Sequence, residues 1–291
     1  MPKDFTLSTY RQLLSAIIKG GYSIVTFEDW CDNKAHGRYV ILRHDVDLNA
    51  NNSLVVARIE AEMGIRASYY FRVIPQSNIP SVIMEIADLG HEIGYHYEDL
   101  SLFKGDRDKS IEHFERQLTY FRQFYPVRTI CMHGSPASKW DNRDLWKTFN
   151  YTDFGIVGEP YFDLLSSENE RAGNLLYLTD TGRMWDGDKY NVRDKIQTIR
   201  NQHSNRNSKV SEDKVQYRNL AEDNEAKLNS KIHTTFDVID WLKVAVNQNV
   251  VMITTHPQRW TNNSIEWYVE LLKQRVKNSL KIFIVRTKTD Y

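Results

Sequence analysis

The chain has 291 residues, of which 41% are hydrophobic and 26% are charged, a composition typical of soluble globular proteins. Its 38 Lys and Arg residues balance 38 Asp and Glu residues, so no net charge would draw it to nucleic acid or to an anionic membrane. Cys31 and Cys131 are the only cysteines. Two cysteines cannot form a disulfide framework, and they suit a reducing compartment.

The N-terminus, MPKDFTLSTYRQLLSAII, lacks the uninterrupted apolar run and the small-residue cleavage site of a secretory signal. No segment approaches the roughly 20 apolar residues that a helix needs to cross a bilayer. We therefore expect a cytoplasmic protein without a membrane span.

Strand and helix patterns alternate along most of the chain. We predict an N-terminal helix from Phe5 to about Ile18, and a helix in which Val55, Ile59 and Met63 share one face. Strands are predicted at 38–47, 67–74, 91–96, 129–134, 175–185, 250–260 and 280–285, and further helices at 81–90, 108–124, 142–149 and 263–276. Repeated alternation of this kind implies a mainly parallel sheet.

Polar clusters follow one predicted strand after another. They read HDVD, HYE, MHGSP, DTGRMWDG and THPQRW. Because the carboxyl ends of the strands build the active site of a β/α barrel, this pattern favours a barrel over an open sheet. We expect one barrel domain that spans residues 1–291.

The segment 193–230 breaks the alternation, because it is highly polar and almost free of large aliphatic residues. It is typical of a solvated helical or flexible insertion. Two functional alternatives stay open for it, a lid over the cleft or a contact within a homo-oligomer.

Two aspartates and three histidines at the strand ends predict a metal site. Asp45 and Asp47 lie two residues apart, so their side chains share one face of the strand. Two carboxylates that close repel each other unless a cation or a proton intervenes. His96, His133 and His256 each follow a different strand, and together with the aspartates they form a mixed ligand set for a divalent metal.

The order of these motifs resembles that of the polysaccharide deacetylases of carbohydrate esterase family four, the NodB-homology group, over residues 38–260. The resemblance implies an irregular (β/α)7 barrel of the polysaccharide deacetylase type. RHDVD is similar to the first family motif, which implies that Asp45 is the general base and Asp47 a metal ligand. GHEIGYHYEDL is similar to the second motif, which makes His96 a ligand. Leu100 stands where that motif has its second ligand histidine.

The remaining motifs imply a general acid and several supporting residues. THPQRW is similar to the fifth motif, whose histidine is the general acid, so His256 takes that role. DTGRMWDG is similar to the fourth motif, which implies Trp185 as a pocket wall and Asp180 or Arg183 as a polar brace. Trp260 is expected to extend the apolar wall.

Two departures from the family pattern coincide. CMHGSP occupies the place of the third motif but lacks the Arg that braces the base, and the second ligand histidine is also missing. His133 is therefore predicted to complete the metal site. Glu98, a hard oxygen donor two residues from His96, is the second candidate. His91 is the third, and its position in the family is more typical of packing.

The resemblance implies a zinc-dependent hydrolase, with cobalt or nickel as alternative metals, that acts on a carbon–nitrogen bond other than a peptide bond. The expected substrate is an N-acylated sugar, in the form of a soluble or lipid-linked glycan intermediate of surface polysaccharide synthesis. The alternatives are a catalytically degenerate barrel that binds a glycan or sugar nucleotide without hydrolysis, and a metal hydrolase of a non-sugar amide.

Overall fold

The computed structural model describes residues 2–134, 138–165, 175–185, 232–245 and 247–289, with side chains up to residue 279. The insertion predicted at 193–230 lies outside the described residues. Every helix among the described residues is too short or too polar to cross a membrane.

A parallel sheet of seven strands forms the centre of the protein. The strands are β1 (Ser23–Val25), β2 (Tyr39–Val46), β3 (Ser68–Phe71), β4 (Glu92–Tyr97), β5 (Ile130–Met132), β6 (Leu175–Thr179) and β7 (Val250–Thr255). Six of them follow the order β5-β4-β3-β2-β7-β6, and β1 pairs with the first part of β2. Every residue of β2, β3 and β4 is buried, as expected for a parallel sheet that is covered on both faces.

Nine α-helices accompany the strands among the described residues. They are α1 (Leu7–Lys19), α2 (Phe27–Cys31), α3 (Ala50–Glu62), α4 (Pro80–Asp88), α5 (Asp99–Leu102), α6 (Arg107–Phe121), α7 (Pro160–Asp163), α8 (Thr235–Val244) and α9 (Ser264–Thr289). The predicted short helix at 142–149 is a 3-10 helix, Asn142–Lys147. The strand predicted at 280–285 is wrong, because α9 continues through it to Thr289. Neither glycine nor proline interrupts this segment, so nothing in it ends the helix.

The sheet is strongly curled. Three strands separate β5 from β7, which would place their ends about 19 Å apart in a flat sheet. Instead, His133 after β5 and His256 after β7 both approach Asp47, with Nε2 atoms 3.4 and 3.7 Å from its two carboxylate oxygens. The prediction of a barrel-like α/β fold is therefore confirmed at the level of a curled parallel half-barrel.

The buried face of α3 overlaps the predicted one, since Ile59 is 5% exposed and Met63 packs against the core. Val55 is 39% exposed, whereas Val56, Ala57 and Glu60 are fully buried. Glu60 accepts hydrogen bonds from buried side chains, among them His44 and Tyr69. A pattern that counts only apolar residues overlooks a buried carboxylate such as Glu60, and Val55 was therefore wrongly assigned to the buried face.

This corrected face makes a prediction for two adjacent valines. Val56→Ala is expected to lower the free energy of unfolding by about 1–3 kcal/mol, because it leaves a cavity in the core. Val55→Ala is the matched control and is expected to change it by about 0.5 kcal/mol or less. Urea denaturation of both variants measures the difference, and a larger loss in Val55→Ala would contradict the described orientation of α3.

A second buried carboxylate joins the amino ends of the strands. Glu92, the first residue of β4, is 1% exposed, and its carboxylate accepts hydrogen bonds from the hydroxyls of Ser68 and Thr129 and from the Glu28 N–H. Burial raises the pKa of Glu92 to about 7, although these hydrogen bonds oppose the increase. This cluster holds α2 and three strands together at the end of the sheet opposite to the polar strand ends.

The raised pKa of Glu92 makes stability depend on pH. The folded protein retains the proton up to about pH 7, whereas the unfolded chain releases it near pH 4.5. Stability from this group is therefore fully present below the unfolded pKa and is lost as pH rises through the folded pKa. A pKa shift of this size corresponds to a change of about 3 kcal/mol in the free energy of unfolding. In Glu92→Gln we expect the fall in unfolding free energy between pH 4.5 and 8 to be smaller by roughly this amount.

Urea denaturation across this pH range measures the effect. Glu159, whose pKa burial also raises to about 7, is unchanged in the variant, so its contribution cancels in the comparison. An identical pH dependence in the two proteins would show that Glu92 ionises normally.

Candidate metal centre

Arg43 holds Asp45 at the carboxyl end of β2. The two side chains share one face of the strand, and Arg43 Nε and Nη2 donate to Asp45 Oδ1 and Oδ2 at 2.8 and 2.7 Å. Arg43 is 1% exposed and Asp45 6%. Burial by itself would raise the pKa of Asp45, but Arg43 and His96 lower it below its usual value. The carboxylate is therefore ionised at neutral pH.

Arg43 was not among the predicted site residues, although the Arg of the third family motif is absent. The signal was present in the sequence. Residues i and i+2 of a strand lie on one face, so the spacing of Arg43 and Asp45 already placed a guanidinium beside the carboxylate.

Asp47 lies among three imidazoles that come from three different strand ends. Its Oδ1 is 3.6 Å from His96 Nε2 and 3.4 Å from His133 Nε2, and its Oδ2 is 3.7 Å from His256 Nε2. These distances exceed those of ordinary N–H···O hydrogen bonds, and Oδ1 is buried without a hydrogen-bond partner. Burial would raise the pKa of Asp47, yet His133 and His96 hold it well below the usual range. A buried oxygen left unpaired in this way fits a cation.

Contacts behind two of the imidazoles direct their Nε2 atoms towards Asp47. His96 Nδ1 lies 2.9 Å from the Cys131 carbonyl oxygen; a carbonyl only accepts, so Nδ1 carries a proton, and in the neutral ring Nε2 has the free lone pair. His133 Nδ1 lies 3.1 Å from Glu98 Oε2. Metal-binding histidines usually have such a partner on the second nitrogen.

Glu98 supports His133 and is not placed as a ligand. Arg72 donates to both of its oxygens, from Nε to Oε1 at 2.8 Å and from Nη2 to Oε2 at 2.7 Å. The pKa of Glu98 is about 2, because the hydrogen bonds from His133 and Arg72 outweigh the effect of burial. Arg72 was not among the predicted site residues.

Two sets of side chains bring three donor atoms within 4.8 Å of one another. One is Asp47, His96 and His133, and the other is Asp45, His96 and Cys131. Arg43 already holds both oxygens of Asp45, so the first set fits a metal better. It offers one carboxylate and two imidazoles, which is the donor chemistry of a catalytic site with an open position.

Asp180 orients His256 across the site from Asp45. Its Oδ1 lies 2.6 Å from His256 Nδ1, and its Oδ2 accepts the His256 backbone N–H at 3.1 Å. Arg259 Nη1 and Trp260 Nε1 donate to the same carboxylate. Burial would raise the pKa of Asp180, but Arg259 and His256 lower it. The ring of His256 is thereby fixed with Nε2 towards Asp47. Arg259 was not among the predicted site residues.

Two tryptophans that were predicted to form a pocket wall are buried. Trp185 is 4% exposed and donates its indole N–H to Thr235. Trp260 is 1% exposed and packs against Phe5 and Tyr10. Both contribute to the core, and Trp260 also braces Asp180.

Arg183, His91 and Leu100 lie outside the donor set. Arg183 packs over the rings of Phe5 and Trp267. Asp180 and Arg183 were both predicted as the polar brace, and of the two it is Asp180 that contacts His256. His91 accepts the Ala67 N–H and hydrogen-bonds the Ala57 carbonyl, in agreement with a packing role. Leu100 is 2% exposed in α5, whereas His133 belongs to the candidate donor set.

Comparisons with models of protein families, with curated proteins and with solved structures give no match. What these residues can do chemically therefore follows from their geometry. That geometry places an ionised carboxylate, a set of metal donors and an oriented imidazole around one point.

The donor set makes a prediction for metal binding. His133→Ala is expected to weaken the binding of zinc by at least about 100-fold, because two donors remain of three. Glu98→Gln is expected to weaken it by about 10-fold to 100-fold through the orientation of His133. Calorimetric titration of chelator-treated protein measures both effects.

Cys131→Ser is the matched control, since Cys131 belongs to the other donor set. We expect unchanged zinc affinity in this variant. If Cys131→Ser lost zinc and His133→Ala retained it, the metal would belong to Asp45, His96 and Cys131.

Proposed function

We propose that the protein is a metal-dependent hydrolase that removes the acyl group from an N-acylated sugar, on an irregular (β/α)7 barrel of the polysaccharide deacetylase type. One observation carries the proposal: an ionised Asp45, the donors of Asp47, His96 and His133, and the imidazole of His256 converge at the carboxyl ends of parallel strands. This set contains a base, a metal site and an acid.

Asp47, His96 and His133 would hold a divalent metal, with zinc favoured and cobalt or nickel as alternatives. When bound, the metal supplies Lewis-acid polarisation of the acyl carbonyl and lowers the pKa of water. The unpaired Oδ1 of Asp47 and the tautomer of His96 support this assignment.

Asp45 acts as the general base. Its carboxylate is ionised at neutral pH, and it accepts the proton of the water that attacks the acyl carbon. Arg43 fixes both oxygens, so the base keeps one orientation through the reaction.

His256 acts as the general acid. Asp180 holds its Nδ1, which leaves Nε2 to deliver a proton to the departing amine. The side chains of Asp47, His133 and His256 are 21%, 14% and 11% exposed. The substrate therefore approaches the cluster from this side.

The site residues support amide hydrolysis, and the motif resemblance supports a sugar substrate. A soluble or lipid-linked glycan intermediate fits this proposal. A degenerate barrel that only binds a glycan is less well supported, because binding alone requires neither the Arg43–Asp45 pair nor an unpaired buried oxygen on Asp47.

Release of acetate from a nucleotide-linked N-acetylhexosamine and from N-acetylated oligosaccharides tests the proposal. We expect hydrolysis with zinc, loss of activity after chelation and recovery on adding zinc. Asp45→Asn is expected to lower kcat by about 10²–10⁴-fold, because it removes the base, and to bind zinc as the unchanged protein does.

Two outcomes would contradict the proposal. One full equivalent of zinc without release of any acyl group would favour a binding protein. Less than about half an equivalent of bound zinc, with no increase when zinc is added, would show that the protein has no such metal site.

A further inference from the structure

Glu60 is a fully buried carboxylate that the proposed mechanism does not use. It lies on α3 and accepts hydrogen bonds from three side chains: Tyr10 and His44 at Oε1, and Tyr69 at Oε2. Its exposed fraction is 0%. A buried charge costs several kcal/mol unless it is well satisfied, and an apolar residue would fill this position in a helix–sheet contact at lower cost.

His44 connects this carboxylate to the neighbouring strand. Its Nε2 lies 2.8 Å from Glu60 Oε1, and its Nδ1 lies 2.7 Å from the hydroxyl oxygen of Thr255. His44 on β2 and Thr255 on β7 are direct partners in the strand register. Both are 0% exposed, so the two hydrogen bonds form away from water.

The residues that follow this pair are the proposed base and the proposed acid. Asp45 follows His44, and His256 follows Thr255. Successive side chains of a strand point to opposite faces, so the hydrogen bonds of His44 lie directly behind the reacting groups. A shift of one strand against the other would move Asp45 relative to His256.

We propose that Glu60, His44 and Thr255 form a positioning unit, which we call the Glu60–His44–Thr255 tie. It sets the distance from Asp45 and Asp47, at the end of β2, to His256, which follows β7. This inference rests on the proposed function. The ligands His96 and His133 lie on β4 and after β5, so the tie acts on the acid side of the site and leaves the donor set in place.

The other hydrogen bonds of Glu60 provide a matched control. The Tyr69 hydroxyl donates to Oε2 at 2.6 Å, but Tyr69 lies on β3, and this hydrogen bond is not part of the path from Glu60 through His44 to Thr255. Removal of its hydroxyl disturbs the same buried carboxylate and leaves the contact between His44 and Thr255 intact.

Thr255→Val, Thr255→Ser and Tyr69→Phe test the tie. Valine has the shape of threonine without its hydroxyl, so Thr255→Val is expected to lower kcat at least tenfold, with KM and zinc affinity within twofold of the unchanged protein. Thr255→Ser restores the hydroxyl and should recover most of kcat. Tyr69→Phe should keep kcat within threefold even where it lowers the melting temperature.

A crystal structure of Thr255→Val supplies a readout that does not depend on activity. The distance from His256 Nε2 to Asp47 Oδ2, 3.7 Å here, is expected to change by more than 0.5 Å. If the unchanged protein releases no acyl group, the proposed function fails, and this distance still tests the tie. If Thr255→Val does not fold, Thr255→Ala carries the same expectations.

The inference is overturned if Thr255→Val keeps both kcat and the distance. It is also overturned if Tyr69→Phe loses kcat as strongly as Thr255→Val does, because Glu60 would then act through general stability alone.

Discussion

Four buried or half-buried carboxylates surround the candidate metal centre, and three of them have a guanidinium partner. Arg43 holds Asp45, Arg72 holds Glu98 and Arg259 holds Asp180, each through hydrogen bonds of ordinary or short length. The fourth, Asp47, is flanked by three imidazoles instead. Neutral imidazoles do not neutralise the negative charge of a carboxylate. The charge of Asp47 is therefore balanced either by protonated histidines or by a divalent cation.

The curled parallel sheet makes this charge arrangement possible. His96 at the end of β4 and the histidines that follow β5 and β7 reach one carboxylate just after β2 only because the carboxyl ends of the strands converge. The alternation of side chains along β2 separates two tasks. Arg43 and Asp45 face the candidate metal centre, whereas His44 faces α3 and contacts Glu60. A register slip by one residue would exchange these faces and remove the site together with its support.

The sequence was sufficient to locate the central strands and the strand-end residues, because buried parallel strands are short apolar runs followed by polar clusters. It was not sufficient for the side chains that brace them. Arg72 and Arg259 bind carboxylates that lie on other elements, far away in the sequence. The spacing of residues within one element cannot predict such contacts. The apolar run at 280–285 fits a strand or a helix equally well by periodicity. Trp185 and Trp260 were placed by motif position, which does not specify whether an aromatic ring faces a cleft or the core.

The position of His133 follows from the pairing of β4 with β5. His96 is the register partner of Cys131, and Tyr97 that of Met132, so the next pair along the strands is Glu98 with His133. Residues 96 and 98 share one face, as do 131 and 133. The register therefore places His133 beside Glu98 and diagonally across from His96, within reach of the same carboxylate. In the proposed donor set the third donor therefore comes from the end of the adjacent strand. Glu98 and Arg72 then provide the orientation that a ligand at a strand end requires.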